Sequence, residues 1–248
     1  MEKHIEDIDS IRTVHKGTPQ WRDLFYDNDP EELFWSPAFE TDTLYYKGEL
    51  SALLDQDRPK VLITGSRDIN SNSMRDICSV MGALAENPFH PVIVSSLAYG
   101  TDTEVHRLSL ELGLPTVAFL ANGLDTIYPY MNRELAARMV STPGCALISQ
   151  FQEGTAPLAL HFLVRNKTMA MVSDTAVIPA CKAKGSALVC ARLMAERRRV
   201  VYAVPGNLSN KLSEGCNALI RERTAEILCN LDDLKIISAT RKSNEYRN

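Results

Sequence analysis

The sequence predicts an α/β fold built on a mostly parallel, doubly wound sheet with helices on both faces. Three features predict it. Short apolar runs recur from residue 61 onward, segments with helical spacing fall between them, and no internal repeat or low-complexity tract breaks the alternation. The runs are 61–64, 91–95, 116–120, 146–149, 175–178 and 200–204. They are rich in Val and Ile, and none alternates polar with apolar residues. Continuous apolar runs suit strands buried on both faces, as in a parallel sheet. Alternation of such strands with helices implies right-handed βαβ units.

The chain divides into an acidic extension over 1–43, one α/β domain over 44–237 and a polar, frayed tail over 238–248. The N-terminal part lacks the alternation and carries Trp21, Phe25, Tyr26, Phe34, Trp35 and Phe39 among Pro and Asp. It reads as an irregular or lightly helical segment packed onto the main domain. Between the second and third runs, residues 102–112 place Val105, Leu108 and Leu112 on one helical face. Between the fifth and sixth, residues 186–197 do the same with Leu188, Ala191, Met194 and Ala195.

Composition narrows the function. The chain has 248 residues, 45% of them hydrophobic, enough for a full core. No stretch approaches the roughly 18 uninterrupted apolar residues of a membrane helix. The polar, acidic N-terminus carries no secretory signal, so a cytoplasmic protein is expected. Six cysteines without a CxxC pair or a companion His cluster read as buried free thiols, not as a metal site. The net charge is −4, yet residues 161–223 hold eleven Lys/Arg against four Asp/Glu. A basic region on an acidic protein is a candidate anion site; on charge alone a solvated helix face explains it equally well.

In open parallel sheets ligands bind at the carboxyl ends of strands, where backbone N–H groups and helix N-termini favour anions. After the first run comes Gly65-Ser66-Arg67, a tight turn whose hydroxyl, amides and guanidinium suit a phosphate. After the second, Ser95 leads to Tyr99, Gly100, Thr101 and Asp102. Here Thr101 or Asp102 is expected to cap the next helix, and Tyr99 offers a stacking surface. Arg165-Asn166-Lys167 and Lys184-Gly185-Ser186 complete the set, the latter opening a helix after the fifth run. Arg197-Arg198-Arg199 closes that helix, where cations complement its dipole. GxxxxGK[ST], GxGxxG after the first strand and GxSxG are all missing, against a P-loop ATPase, a dinucleotide enzyme and an α/β-hydrolase. His106 and His161 lack carboxylate or cysteine partners at motif spacing and read as structural. No catalytic residue, metal or cofactor is expected.

Taken in order, these residues resemble the DNA-processing protein A family, also called Smf. The likeness runs from about Leu44 to Ile227. It takes in Tyr45-Tyr46-Lys47-Gly48-Glu49-Leu50, Gly65-Ser66-Arg67, the 95–102 segment with His106, and Gly123-Leu124-Asp125 with Tyr128, Pro129 and Asn132. It continues with Gly154, Pro157, Phe162, Arg165-Asn166, Ala203-Val204-Pro205-Gly206 and Gly215-Cys216-Asn217. The resemblance implies a Rossmann-like domain that binds single-stranded DNA without cutting it. It also implies delivery of that DNA to a RecA-type recombinase during natural transformation, and a homodimer. Carried over, Arg67 and the loops at 95–101 and 184–186 line the DNA pocket, and Arg165 and Lys167 match an Arg-Asn-Arg motif. Ser96 and Ala121 replace motif glycines, Gln150 and Ala180 replace glutamates, and Lys167 replaces an arginine. The helical N-terminal module and the C-terminal winged helix of some members are missing from the sequence.

The expected interface is therefore Gly65, Ser66, Arg67, Ser95, Tyr99, Gly100, Arg165, Lys167, Lys184, Gly185 and Ser186. An apolar C-terminal stretch, Ile227, Leu228, Leu231, Leu234, Ile236 and Ile237, adds a motive for dimerisation. The rival from another class is a nucleotide-ligand sensor or nucleotide-cleaving enzyme of the related Rossmann-like superfamily. Its Pro-Gly-Gly-x-Gly-Thr stretch is absent here. A pure interaction module that has lost DNA binding is the third option.

Overall fold

The computed structural model describes residues 10–25 and 42–239. In chain order these form β1 (Arg12–His15), α1 (Pro19–Leu24), β2 (Thr43–Gly48), α2 (Ser51–Leu54), β3 (Lys60–Ile63), α3 (Ser71–Ala85), β4 (Val92–Ser96), α4 (Thr101–Leu112) and β5 (Thr116–Leu120). A 3-10 turn (Tyr130–Asn132) leads into α5 (Arg133–Val140) and β6 (Ala146–Ser149). Then come α6 (Ala159–Val172), β7 (Thr175–Ile178), α7 (Ser186–Glu196), β8 (Val200–Ala203), α8 (Glu214–Arg221), β9 (Glu226–Ile227) and α9 (Asp232–Lys235). The six expected strands are β3 to β8. Tyr26, Phe34, Trp35, Phe39 and the tail beyond residue 239 lie outside the described residues.

One nine-stranded sheet runs in the order β1-β2-β6-β5-β4-β3-β7-β8-β9. The strands from β3 to β9 pair in parallel, while β2 joins β6 and β1 joins β2 antiparallel. Alternate side chains along each strand enter different cores. Leu62, Val94, Phe119, Ile148 and Ile178 pack beneath α6, α7 and α8 on one face. Val61, Ile63, Ile93 and Val177 pack beneath α3 and α4 on the other, and Ala118, Leu120 and Leu147 beneath α5. Helices thus cover both faces, the arrangement that continuous apolar strands require. From β3 the chain steps outward through β4, β5 and β6, then crosses back to β7 on the other side of β3. That reversal is a topological switch point, where loops leaving neighbouring strands part and open a crevice.

Several expectations change. The described part of the N-terminal segment is lightly helical and packs onto the main core through Trp21, Leu24 and Phe25, as expected, but it also carries β1, an unexpected strand that extends the sheet. Four cysteines are buried, but Cys78 and Cys229 are exposed. In the C-terminal stretch Leu228, Leu234 and Ile237 are core residues, packed with α3 and β3. Only Ile227, Leu231 and Ile236 remain exposed, which removes half of the apolar surface offered as a dimer contact. No helix among the described residues is long and apolar enough to cross a membrane.

Candidate nucleic-acid interface

A cleft opens at the carboxyl ends of β3, β4 and β5. Arg67 follows β3, Leu97, Ala98 and Tyr99 follow β4, and Phe119 to Asn122 end and follow β5. Tyr128 and Pro129 close one side, and Phe162 and Arg165 of α6 close another. The enclosed space is about 40 Å³. Pockets that engulf a small ligand run to roughly 300–1,000 Å³. The notch is too small to engulf a small ligand.

Arg165 is only 6% exposed. Its Nε donates to the Asn166 side-chain oxygen, and one terminal nitrogen donates to the Phe119 carbonyl, both at 3.0 Å. The guanidinium carbon sits 5.6 Å from the centre of the Phe162 ring. Tyr128 meets Phe162 edge-on, with ring centres 6.2 Å apart. The notch thus joins a cation to aromatic faces. Burial holds the Arg165 pKa below its ordinary value, and the Asp102 carboxylate opposes that shift. The charge of Arg67 adds to the depression, so the two arginines feel one another.

Beneath the notch, Asp102 organises the loops. Its carboxylate accepts from Thr64 Oγ1 at 3.0 Å, from the Gly65 N–H at 3.3 Å and from the Ser96 hydroxyl. Burial pushes its carboxyl up; the Ser96 bond and the Arg165 charge pull it down. Thr101 Oγ1 and its own N–H both donate to the Ser66 carbonyl. Neither residue caps α4, contrary to expectation, because both side chains turn inward; the cap position is Gly100. Gly100 has φ +73°, and a Cβ there would strike the Ser66 and Arg67 carbonyls. Glycine is needed because the β3 and β4 loops touch backbone to backbone.

The expected site residues separate into two groups. Gly65, Ser66 and Ser95 hold the scaffold. The Gly65 amide is taken by Asp102, and the Ser66 amide by the Ala180 carbonyl at 2.8 Å. Ser95 is fully buried, with its hydroxyl donated to the Ile63 carbonyl at 2.6 Å. The cradle expected from Gly65 and Ser66 is therefore already filled by protein, and Ser95 has no path to a ligand. Lys167 is exposed but lies two residues from Arg165, about 200° round the helix, and faces away from the notch. The other group faces outward. Arg67 and Tyr99 line the notch, and Gly100, which follows Tyr99, packs against the Ser66 and Arg67 carbonyls. Lys184, Gly185 and Ser186 are exposed at the start of α7, which has no side-chain cap. Lys182 of the same loop pairs with Asp68 of the β3 loop, so these two loops adjoin.

Phe119, Asn122, Tyr128 and Phe162 were not expected as lining. Tyr128 and Phe162 stood in the quoted motifs, but nothing local marks them as facing a ligand. His106 and His161 are structural. His106 is fully buried between the Ser96 carbonyl (2.8 Å) and Thr116 Oγ1 (2.7 Å). His161 stacks on Phe151. No group of three potential ligands among the described residues could hold a metal ion.

The chain is similar to several known proteins. The family described as DNA recombination-mediator protein A matches residues 29–238. DNA processing protein DprA of Streptococcus pneumoniae is 35% identical over 198 residues, covering 79% of this chain and 66% of that protein. Protein Smf of Synechocystis is 30% identical over 203 residues, covering 82% and 50%. The chain thus spans only part of the length of these relatives. The X-ray structure of the S. pneumoniae protein superposes with a TM-score of 0.77 at 29% identity, covering 94% of this chain and 77% of that one. A Helicobacter pylori DNA processing protein A, whose structure addresses its single-stranded DNA binding mode, gives 0.73 at 24% identity, covering 91% and 94%. By the extent of these matches, the chain belongs to the DNA recombination-mediator protein A family.

Proposed function

We propose that this chain binds single-stranded DNA along the carboxyl ends of β3, β4, β5 and β7, and that it breaks no bond in doing so. The observation that carries this reading is the pairing of Arg67 and Arg165 with Tyr99, Tyr128 and Phe162 in one small notch. Cations that follow a backbone and rings that accept any base are the means by which proteins hold a single strand without reading its sequence. In a duplex the bases are stacked inside and cannot enter the notch. Arg67, Arg165, Lys184 and the open amides of Gly185 and Ser186 meet phosphates, and Tyr99 meets a base; Gly100 lets the loops close. Relatives named for DNA processing and a family named for recombination mediation support a role in DNA processing or recombination. The reading extends that role to presenting the strand to a RecA-type recombinase, by a cytoplasmic homodimer.

The test is a titration of labelled oligo-dT and of a duplex of equal length over a salt series. Three phosphate-bound cations predict a slope of about −2 in log K against log salt for the single strand. The single strand should bind the tighter of the two. Equal affinity for the duplex, or binding indifferent to salt, would sink the proposal.

A further inference from the structure

We propose that Tyr130, outside the notch, is a second stacking platform, which takes a base of the strand where it leaves the notch past Tyr128. The inference rests on the single-strand reading above. Tyr130 is 68% exposed, far more than a tyrosine with a packing role needs. An isolated exposed ring is ordinary on any protein surface. Three features set this one apart.

The first is continuity. Tyr128 and Pro129 already line the notch, and one extended residue, Pro129 (φ −71°, ψ 147°), separates Tyr128 from Tyr130. A strand leaving the notch past Tyr128 meets Tyr130 next. The second is rigidity. Tyr130 opens a 3-10 turn whose last residue, Asn132, is buried. Asn132 Nδ2 donates to the Leu97 carbonyl at 2.9 Å and to Thr103 Oγ1 at 2.8 Å. Leu97 is itself a wall of the notch, so the turn is fastened to the site it extends. A ring held in place before binding loses little freedom when a base lands on it. The third is charge. The Arg133 guanidinium lies 4.5 Å from the ring centre and covers one face. Tyr130 is exposed enough to leave its other face open to a base, and the cation adds positive charge beside the ring. Glu134 is 3.5 Å from Arg133, but both are exposed, so that pair offsets the cation only weakly.

The platform is tested with wild type, Tyr130→Ala, Tyr130→Leu and Tyr130→Phe. Each is titrated with oligo-dT and with an abasic oligomer of the same length and charge. Tyr130→Ala should weaken dT binding by about five- to a hundred-fold, the range for loss of one stacked base. Tyr130→Leu keeps apolar bulk without a π-face and should behave alike, which guards against a folding artefact at either variant. Tyr130→Phe should bind like wild type. None should alter binding of the abasic oligomer or the salt slope, because stacking releases no counterions. Wild-type dT affinity in Tyr130→Ala overturns the platform and leaves the notch standing. Equal losses for dT and abasic strands also overturn it, since the ring would then act without a base. A wild-type protein that ignores oligo-dT removes both the platform and the single-strand reading.

Discussion

A buried guanidinium without a counter-charge would cost several kcal/mol. Arg165 has Asp102 as that counter-charge, and Asp102 has Thr64, Gly65 and Ser96 to satisfy its oxygens. The chain thus holds one charge in its interior at the floor of the notch, whereas Arg67 and Lys184 stand exposed. The distinction decides what each contributes. Exposed cations contribute little to folding. Arg67→Ala and Lys184→Ala should each weaken oligo-dT binding by about 1–3 kcal/mol, the scale of one charge-assisted hydrogen bond, and leave the melting temperature almost unmoved. Lys167→Ala, on the far side of α6 from the notch, should weaken it less. Lys182 is engaged by Asp68 and is less available to a phosphate. Unchanged affinity with a lowered melting temperature in the Arg67 and Lys184 variants would make those residues scaffold. The site was partly legible at this scale. Arg67 and Tyr99 sit where a strand end must turn, and their types announce charge and a flat ring. Ser66 and Ser95 misled because a small polar residue at a strand end serves a ligand or its own backbone equally well. Only the direction of the side chain decides, and that is tertiary.

Helix α4 shows how a buried polar stripe can hide from hydrophobic spacing. The apolar pattern Val105, Leu108, Leu112 predicts one inner face. The face actually buried is Asp102, Val105, His106 and Ser109, and Leu112 is exposed. Polar side chains win because the ends of β4 and β5 present groups that need partners: the Ser96 carbonyl and Thr116 take His106. The Ser96 carbonyl can only accept, so Nε2 is assigned the proton. Burial lowers the His106 pKa to about 4 from an ordinary 6.5. The unfolded chain therefore takes up a proton near pH 6.5 that the folded chain refuses until about pH 4. The stability is present above pH 6.5 and is lost as pH falls towards 4, by up to about 3 kcal/mol. Melting curves of wild type and His106→Gln between pH 7.5 and 4.5 check this. The wild-type advantage should shrink as pH falls; parallel curves would contradict it. Strands were easier to read than this face. β3 to β7 are buried on both sides and β8 on one, and apolar runs mark them all. β1 and β2 lie at or next to one sheet edge with mixed burial, β9 is exposed at the other edge, and none carries such a mark.

For the whole molecule, net charge and site charge point in opposite directions. The chain carries −4 overall, yet its cations gather after residue 160 and its carboxylates before residue 60. Such an arrangement repels nucleic acid in general and admits it at one end of the sheet. At that end the loops of β3 and β7 meet through Lys182 and Asp68, because the two strands are neighbours in the sheet although they lie more than a hundred residues apart. Alternation of strands and helices foretells such a crevice but not which residues share it. Tyr128 and Phe162 arrive from a loop and a helix whose packing no local pattern encodes. A larger hollow of about 410 Å³ opens at the opposite end of the strands, around Gly113, Pro115 and Gly144, with Glu49 and Asp55 against a single Arg58. Its charge does not suit DNA. Ultraviolet crosslinking of the full chain to oligo-dT, followed by identification of the modified peptides, discriminates the two ends. Binding at the notch should give crosslinks in the peptides that carry Tyr99, Tyr128 and Phe162, and Arg67→Ala should weaken them. Crosslinks confined to the peptides around Gly113 and Gly144, unaffected by Arg67→Ala, would contradict it.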